Sequence, residues 1–119
     1  MRKPVGAAVL AVALFGAMES KSAEQVPRTV QQLLAACKTD SPLVLYCFGF
    51  IDGVRNTTSI TVGKGSRMGE KIGNCGADGV TLGQDVQIFI NWAKSNPTKW
   101  LSVGLAGVIL ALREAWPCK

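Results

Sequence analysis

Four cysteines, at positions 37, 47, 75 and 118, and the absence of any histidine set the chemistry open to this 119-residue chain. A cysteine nucleophile needs a base or another thiolate-stabilising neighbour, and histidine cannot supply it here. Structural zinc sites favour cysteines in C-x-x-C pairs, and no two of these cysteines stand that close. Asp52, inside the apolar stretch "LVLYCFGFIDGV", is a carboxylate that could serve as a base. It lies three residues before Arg55, so it reads as half of an exposed ion pair on a helix. The glycine-rich segment 59–79 lacks both the G-x-x-x-x-G-K-[ST] and the G-x-G-x-x-G spacing of a phosphate cradle. Asn56-Thr57-Thr58 matches the glycosylation acceptor pattern, a three-residue match that needs a eukaryotic secretory context. No catalytic residue, metal site or cofactor is expected, and the chain reads as a non-enzyme. What an even number of cysteines can do is form two disulfides, provided the compartment is oxidising.

The first residues point to such a compartment. "MRKPVGAAVLAVALFGAMESKSAEQ" runs from a basic pair through an apolar stretch, Val5 to Met18, into polar residues. That order is the plan of a secretory signal peptide. The apolar run falls short of the roughly 20 residues that span a bilayer, and no lipidation cysteine follows it. Residues 1–22 are expected to be removed, leaving a domain of residues 23–119 that is free of the membrane and periplasmic. Cleavage takes away Arg2, Lys3, Lys21 and Glu19 and lowers the formal charge from +5 to +3. The remaining basic residues are scattered and no run of them is interleaved with aromatics, which argues against nucleic acid as a partner.

Four helices must position the cysteines. Thr29 and Gln32 form a capping-box pattern, after which Val30, Leu33, Leu34 and Cys37 recur on one helical face. A second helix begins near Pro42, a residue suited to a first turn, with Leu43, Tyr46, Cys47, Phe50 and Val54 at helical spacing. Gly49 and Gly53 share a face of this helix. Each costs roughly 1 kcal/mol against alanine, so the expectation is that a neighbouring helix packs closely against them.

Residues 59–79 hold six glycines and no lasting apolar period. They read as a long loop with a short extended piece at 60–62. Thr81 and Gln84 repeat the capping box and open a third helix. Its inward stripe is Leu82, Val86, Phe89, Ile90 and Ala93, with Gln87, Asn91 and Lys94 outside. Pro97 starts a fourth helical stretch, apolar nearly all round from Trp100 to Leu112, with Gly104 and Gly107 on a close-approach face. The fold class expected is all-α: a small four-helix domain with one long glycine-rich loop and two disulfides.

In chain order, the leucine-rich helix ending at Cys37, "CFGFIDGV" at 47–54, "CGADGVTLGQ" at 75–84, "WAKSNP" at 92–97 and "ALREAWPC" at 111–118 resemble the Rap/Tai family of immunity proteins, which protect bacteria against type VI secretion effectors. Phe50 stands where tyrosine is common in the family and Ala77 where proline is common. The resemblance implies a small helical periplasmic protein that binds a peptidoglycan-cleaving amidase effector and occludes its active site. Members often act as dimers, so a homodimer is a further partner the resemblance admits. The alternative class is a small helical periplasmic chaperone or envelope-stress protein with no toxin partner.

In an up–down bundle, Cys37 and Cys47 lie at one pole, with Cys75 and Cys118 at the other. Of the three connectivities open to four cysteines, this placement selects Cys37–Cys47 and Cys75–Cys118. For the effector contact the candidate residues are Lys64, Arg67, Met68 and Lys71 in the glycine-rich segment, basic side chains for an acidic surface and a methionine for an apolar pocket. Gln87 and Asn91, on the outer face of the third helix, are the second candidate surface.

Overall fold

The computed structural model describes residues 26–62, 67–76 and 79–118. The expected signal peptide, residues 1–22, lies outside them. The described chain is helical: α1 Val30–Ala36, α2 Val44–Val62, a short α3 Arg67–Ile72, α4 Leu82–Ser95, a single 3-10 turn Pro97–Lys99, and α5 Gly104–Ala115. The four principal helices, α1, α2, α4 and α5, surround one core. Val30, Leu33, Cys47, Ile51, Phe89, Val108 and Leu112 are its largest fully buried side chains.

Both capping boxes form. The Thr29 hydroxyl accepts from the Gln32 backbone N–H at 3.2 Å, and the Gln32 carboxamide oxygen accepts from the N–H groups of Arg28 and Thr29. Thr81 and Gln84 do the same for α4. Two further N–H groups in the first turn of α1 find a tertiary answer. Val30 donates to the Ser102 carbonyl at 2.9 Å and Gln31 to that of Trp100 at 3.0 Å, while Gly104 donates back to Arg28 at 2.8 Å. This exchange, with the isolated bridge between Thr29 and Val103, holds residues 100–103 off the helix. The last helix therefore starts at Gly104 and not near Trp100. Pro97 opens only the 3-10 turn, whose Trp100 indole donates to the Ala93 carbonyl at 2.8 Å.

Three expectations change. First, α2 continues through Val62, and Arg67–Ile72 adds a helical turn and a half, so much of the segment read as loop or extended is helical. Thr57 and Thr58 let it pass: their hydroxyls donate to the carbonyls of Gly53 and Val54, each at 2.8 Å, and leave the helix unbroken. Second, Tyr46 lies on the surface, stacked on Phe50 with ring centroids 6.0 Å apart, and Ile51 takes the core position. Third, Gly49 and Gly53 are exposed, and a Cβ built on either would meet nothing within 4 Å. The close approach expected in α2 does not form, whereas the one expected in α5 does. There a Cβ on Gly107 would lie 2.5 Å from Val30 Cγ2 and 3.2 Å from Trp92 Cζ3.

The disulfides are Cys37–Cys47 and Cys75–Cys118. Their separations of 10 and 43 residues constrain the unfolded chain by about 3 and about 4 kcal/mol in the loop-entropy picture. A domain this small buries a modest core and gains from such staples. The first ties the end of α1 to the opening turns of α2. The second ties the segment before α4 to the end of the chain. Between them Gly79 takes a φ of 92°, a left-handed turn that a Cβ disfavours, and delivers the chain to the Thr81 cap.

Candidate functional site

With all four cysteines consumed in disulfides, the described side chains offer surface for recognition and buried polar contacts that shape it. The buried contacts come first. Arg55 on α2 donates to Asp85 on α4, Nη1 to Oδ2 at 2.6 Å, with the two side chains 15% and 3% exposed. The other carboxylate oxygen of Asp85 accepts from the Trp116 indole at 3.3 Å. Arg55 thus turns inward to Asp85, and the exposed pair with Asp52 is not formed. A Cβ on Gly76 would run into the Arg55 guanidinium, so a larger residue there would have to displace the arginine from its place at Asp85. Beside it the Asn74 amide donates to the Thr58 hydroxyl at 2.6 Å, both residues being 3% exposed. These contacts hold residues 74–76 against α2.

The α2 face that carries the glycines is left open. Gly49, Phe50 and Gly53 on α2, Ile72 on α3, and Leu105 and Ile109 on α5 line a groove of about 450 Å³. Its lining is mostly apolar, with Thr57 and Thr58 as the polar members, and it has room because α2 carries glycine here where a bundle helix would carry bulk. Leu105, which lines the groove, is 47% exposed.

The sequence-predicted contact residues fall on two surfaces. Arg67 and Lys71 are exposed on α3, the helix whose Ile72 lines the groove. Met68 belongs to the same helix, and Lys64 lies outside the described residues. Gln87 and Asn91 are exposed on α4 and bonded to each other, Gln87 Nε2 to Asn91 Oδ1 at 2.8 Å. They do not line the groove. Asn91 borders instead a shallower cleft with Ile88, Trp92 and Glu114. The groove itself was missed by sequence reasoning, since a glycine pair looks the same whether a helix or solvent faces it. Asp85 was missed although a signal existed: it falls on the inward stripe between Leu82, Phe89 and Trp92.

Residues 29–118 match the sequence model of the Rap1a immunity proteins. The chain belongs to the Rap1a immunity protein family. The match opens on the Thr29 cap and closes on Cys118, so it takes in every described helix and both bridges. No curated protein and no solved structure matches the chain. As a Rap1a immunity protein it belongs among proteins that protect against a secreted effector. The described geometry suits a binder: a disulfide-braced scaffold presenting an open, mostly apolar groove.

Proposed function

We propose that this Rap1a protein is a periplasmic immunity protein that binds a type VI secretion peptidoglycan amidase and occludes its active site. The family match from Thr29 to Cys118 carries the reading. Two disulfides agree with an oxidising compartment, and the basic–apolar–polar order of residues 1–22 agrees with export. The first expected result is therefore a periplasmic protein whose N-terminal sequence starts within a residue or two of Ala23. Met1 retained on membrane-bound protein would contradict it.

The effector contact is assigned to the groove and to α3 beside it. Gly49 and Gly53 weaken α2 without helping any internal packing, so their use lies in admitting an external apolar segment. Arg67 and Lys71 match acidic residues flanking that segment and speed encounter. Gly49→Leu with Gly53→Leu fills the groove from a helix that tolerates leucine well. Affinity for the amidase should fall by about thirtyfold or more, the loss of one hot-spot contact, while the melting temperature holds or rises. Replacing Arg67 and Lys71 by serine should slow association and flatten its salt dependence. A stable, groove-filled variant that binds as before would move the contact to Gln87 and Asn91. A wild-type chain that inhibits no candidate amidase would remove the amidase reading and leave the family membership standing. Light scattering of the complex reports whether a homodimer engages.

The exposed Leu45, Ile60 and Leu101, at 82%, 67% and 86%, favour the chaperone reading as the second choice. Suppression of aggregation of an acid-unfolded client, without inhibition of any amidase, would select it.

A further inference from the structure

The two bridges differ in access. Cys37 is 3% exposed and Cys47 fully buried, both within the apolar core. Cys75 and Cys118 are both exposed and lie outside that core. A disulfide opens when a thiolate reaches one of its sulfurs, so the rate depends on access as well as on the thiols involved. The inner bridge can be reached only after the α1–α2 junction comes apart, whereas the outer one can be reached on the folded protein.

We propose that Cys75–Cys118 is a site of thiol–disulfide exchange with a dithiol oxidoreductase, and that it works as a clasp for α3 while Cys37–Cys47 stays closed. In the exchange one thiolate of the reductant attacks a sulfur of the bridge, forming a mixed disulfide and releasing the other cysteine as a thiolate. The reductant's second thiol then attacks the mixed disulfide. The reductant leaves as its own disulfide, and Cys75 and Cys118 end as thiols carrying the two protons the dithiol gave up. Two electrons pass from the reductant to the bridge.

What the clasp holds is local. The Cys75 N–H donates to the Trp116 carbonyl at 2.9 Å, and the Trp116 indole reaches Asp85. Residues 73–76 follow α3 directly and carry Gly76 across the Arg55 guanidinium. Opening the bridge removes the covalent tie between the chain end and this segment and leaves only hydrogen bonds there, so α3 is held less firmly. The core of α1, α2, α4 and α5 contains neither Cys75 nor Cys118 and keeps its packing. The inference stands whether or not the effector is an amidase, because it concerns the order in which the bridges open.

The test uses the mature, fully oxidised chain with two reductants, dithiothreitol in one arm and thioredoxin with its recycling system in the other. Free thiols are alkylated at intervals and mapped by peptide mass spectrometry. Cys75 and Cys118 should be labelled about tenfold faster or more than Cys37 and Cys47, the difference being set by access. Far-UV circular dichroism should stay helical, and amide exchange should quicken over residues 67–80 and not at the α1–α2 junction. Simultaneous opening of both bridges with loss of helicity, or earlier opening of Cys37–Cys47, would overturn the proposal. A bridge that yields to dithiothreitol and resists thioredoxin would overturn the oxidoreductase part. The double variant Cys75→Ser, Cys118→Ser should fold with Cys37–Cys47 formed and show the same local exchange; failure to fold would show that the clasp holds the core after all.

Discussion

Gly107→Leu lowers the stability of the domain by about 3 kcal/mol or more, at the upper end of what overpacking costs, while Gly53→Ala raises it by about 0.5–1 kcal/mol. Both glycines are inside helices, and they differ in what surrounds them. A Cβ at position 107 would lie 2.5 Å from Val30 Cγ2, 3.2 Å from Trp92 Cζ3 and 3.7 Å from Phe89 Cε1. Val30 and Phe89 are fully buried and Trp92 is 8% exposed, so three side chains on two helices would have to retreat into a filled core. Alanine at 107 meets the same obstacle with one carbon, against which better helix propensity returns about 1 kcal/mol. A net loss is expected there as well, smaller than for leucine. At position 53 nothing lies within 4 Å, and alanine simply restricts the unfolded chain and suits the helix. Urea titrations with both disulfides intact, followed by tryptophan fluorescence, measure the two effects. Equal midpoints for the two variants would refute the packing contrast.

Asp85→Ala is the second large loss. It leaves the Arg55 guanidinium, 15% exposed, without its carboxylate, and strips the Trp116 indole of its acceptor. Removing one partner of a buried ion pair typically costs about 3–5 kcal/mol, because the remaining charge stays out of water. Arg55→Ala should cost less than Asp85→Ala, since its cavity opens beside the surface, yet it strands a carboxylate whose side chain is 3% exposed. The variant that replaces both, Arg55→Met with Asp85→Leu, should recover most of the loss, as apolar replacements of buried pairs often do. The double-mutant cycle therefore shows strong coupling. Additive single losses would mean that the 2.6 Å contact contributes nothing specific.

These two expectations turn on features that sequence treats very differently. The capping boxes at Thr29 and Thr81, and the inward stripes of α1 and α4, were legible because each is a local pattern with one physical reading. A hydroxyl three residues before a glutamine satisfies backbone N–H groups in any such helix, and a 3.6-residue apolar period has to bury one side. The disulfide pairing was legible one step further on. Helix order puts Cys37 beside Cys47 and Cys75 beside Cys118 once the bundle is up–down. The glycine-rich stretch was misread for the opposite reason. β-Branched residues such as Ile60, Thr61 and Val62 favour an extended chain, but α2 propagates from an anchored amino-terminal half and carries Ser59, Ile60, Thr61 and Val62 along with it.

By itself the sequence determined the helical class, the two caps, the pairing of the cysteines and the family, since each rests on short-range spacing or on the order of motifs along the chain. Tertiary structure alone decided which of the expected glycine contacts form. Gly107 faces Val30 and Trp92, and Gly49 and Gly53 face an open groove, although all three break a helical stripe in the same way. It also decided the partner of Arg55, which turns from Asp52 three residues away to Asp85 thirty residues on. The reason is common to both cases. Spacing fixes the face of a helix on which a residue lies, and only the approach of the other helices fixes what that face meets.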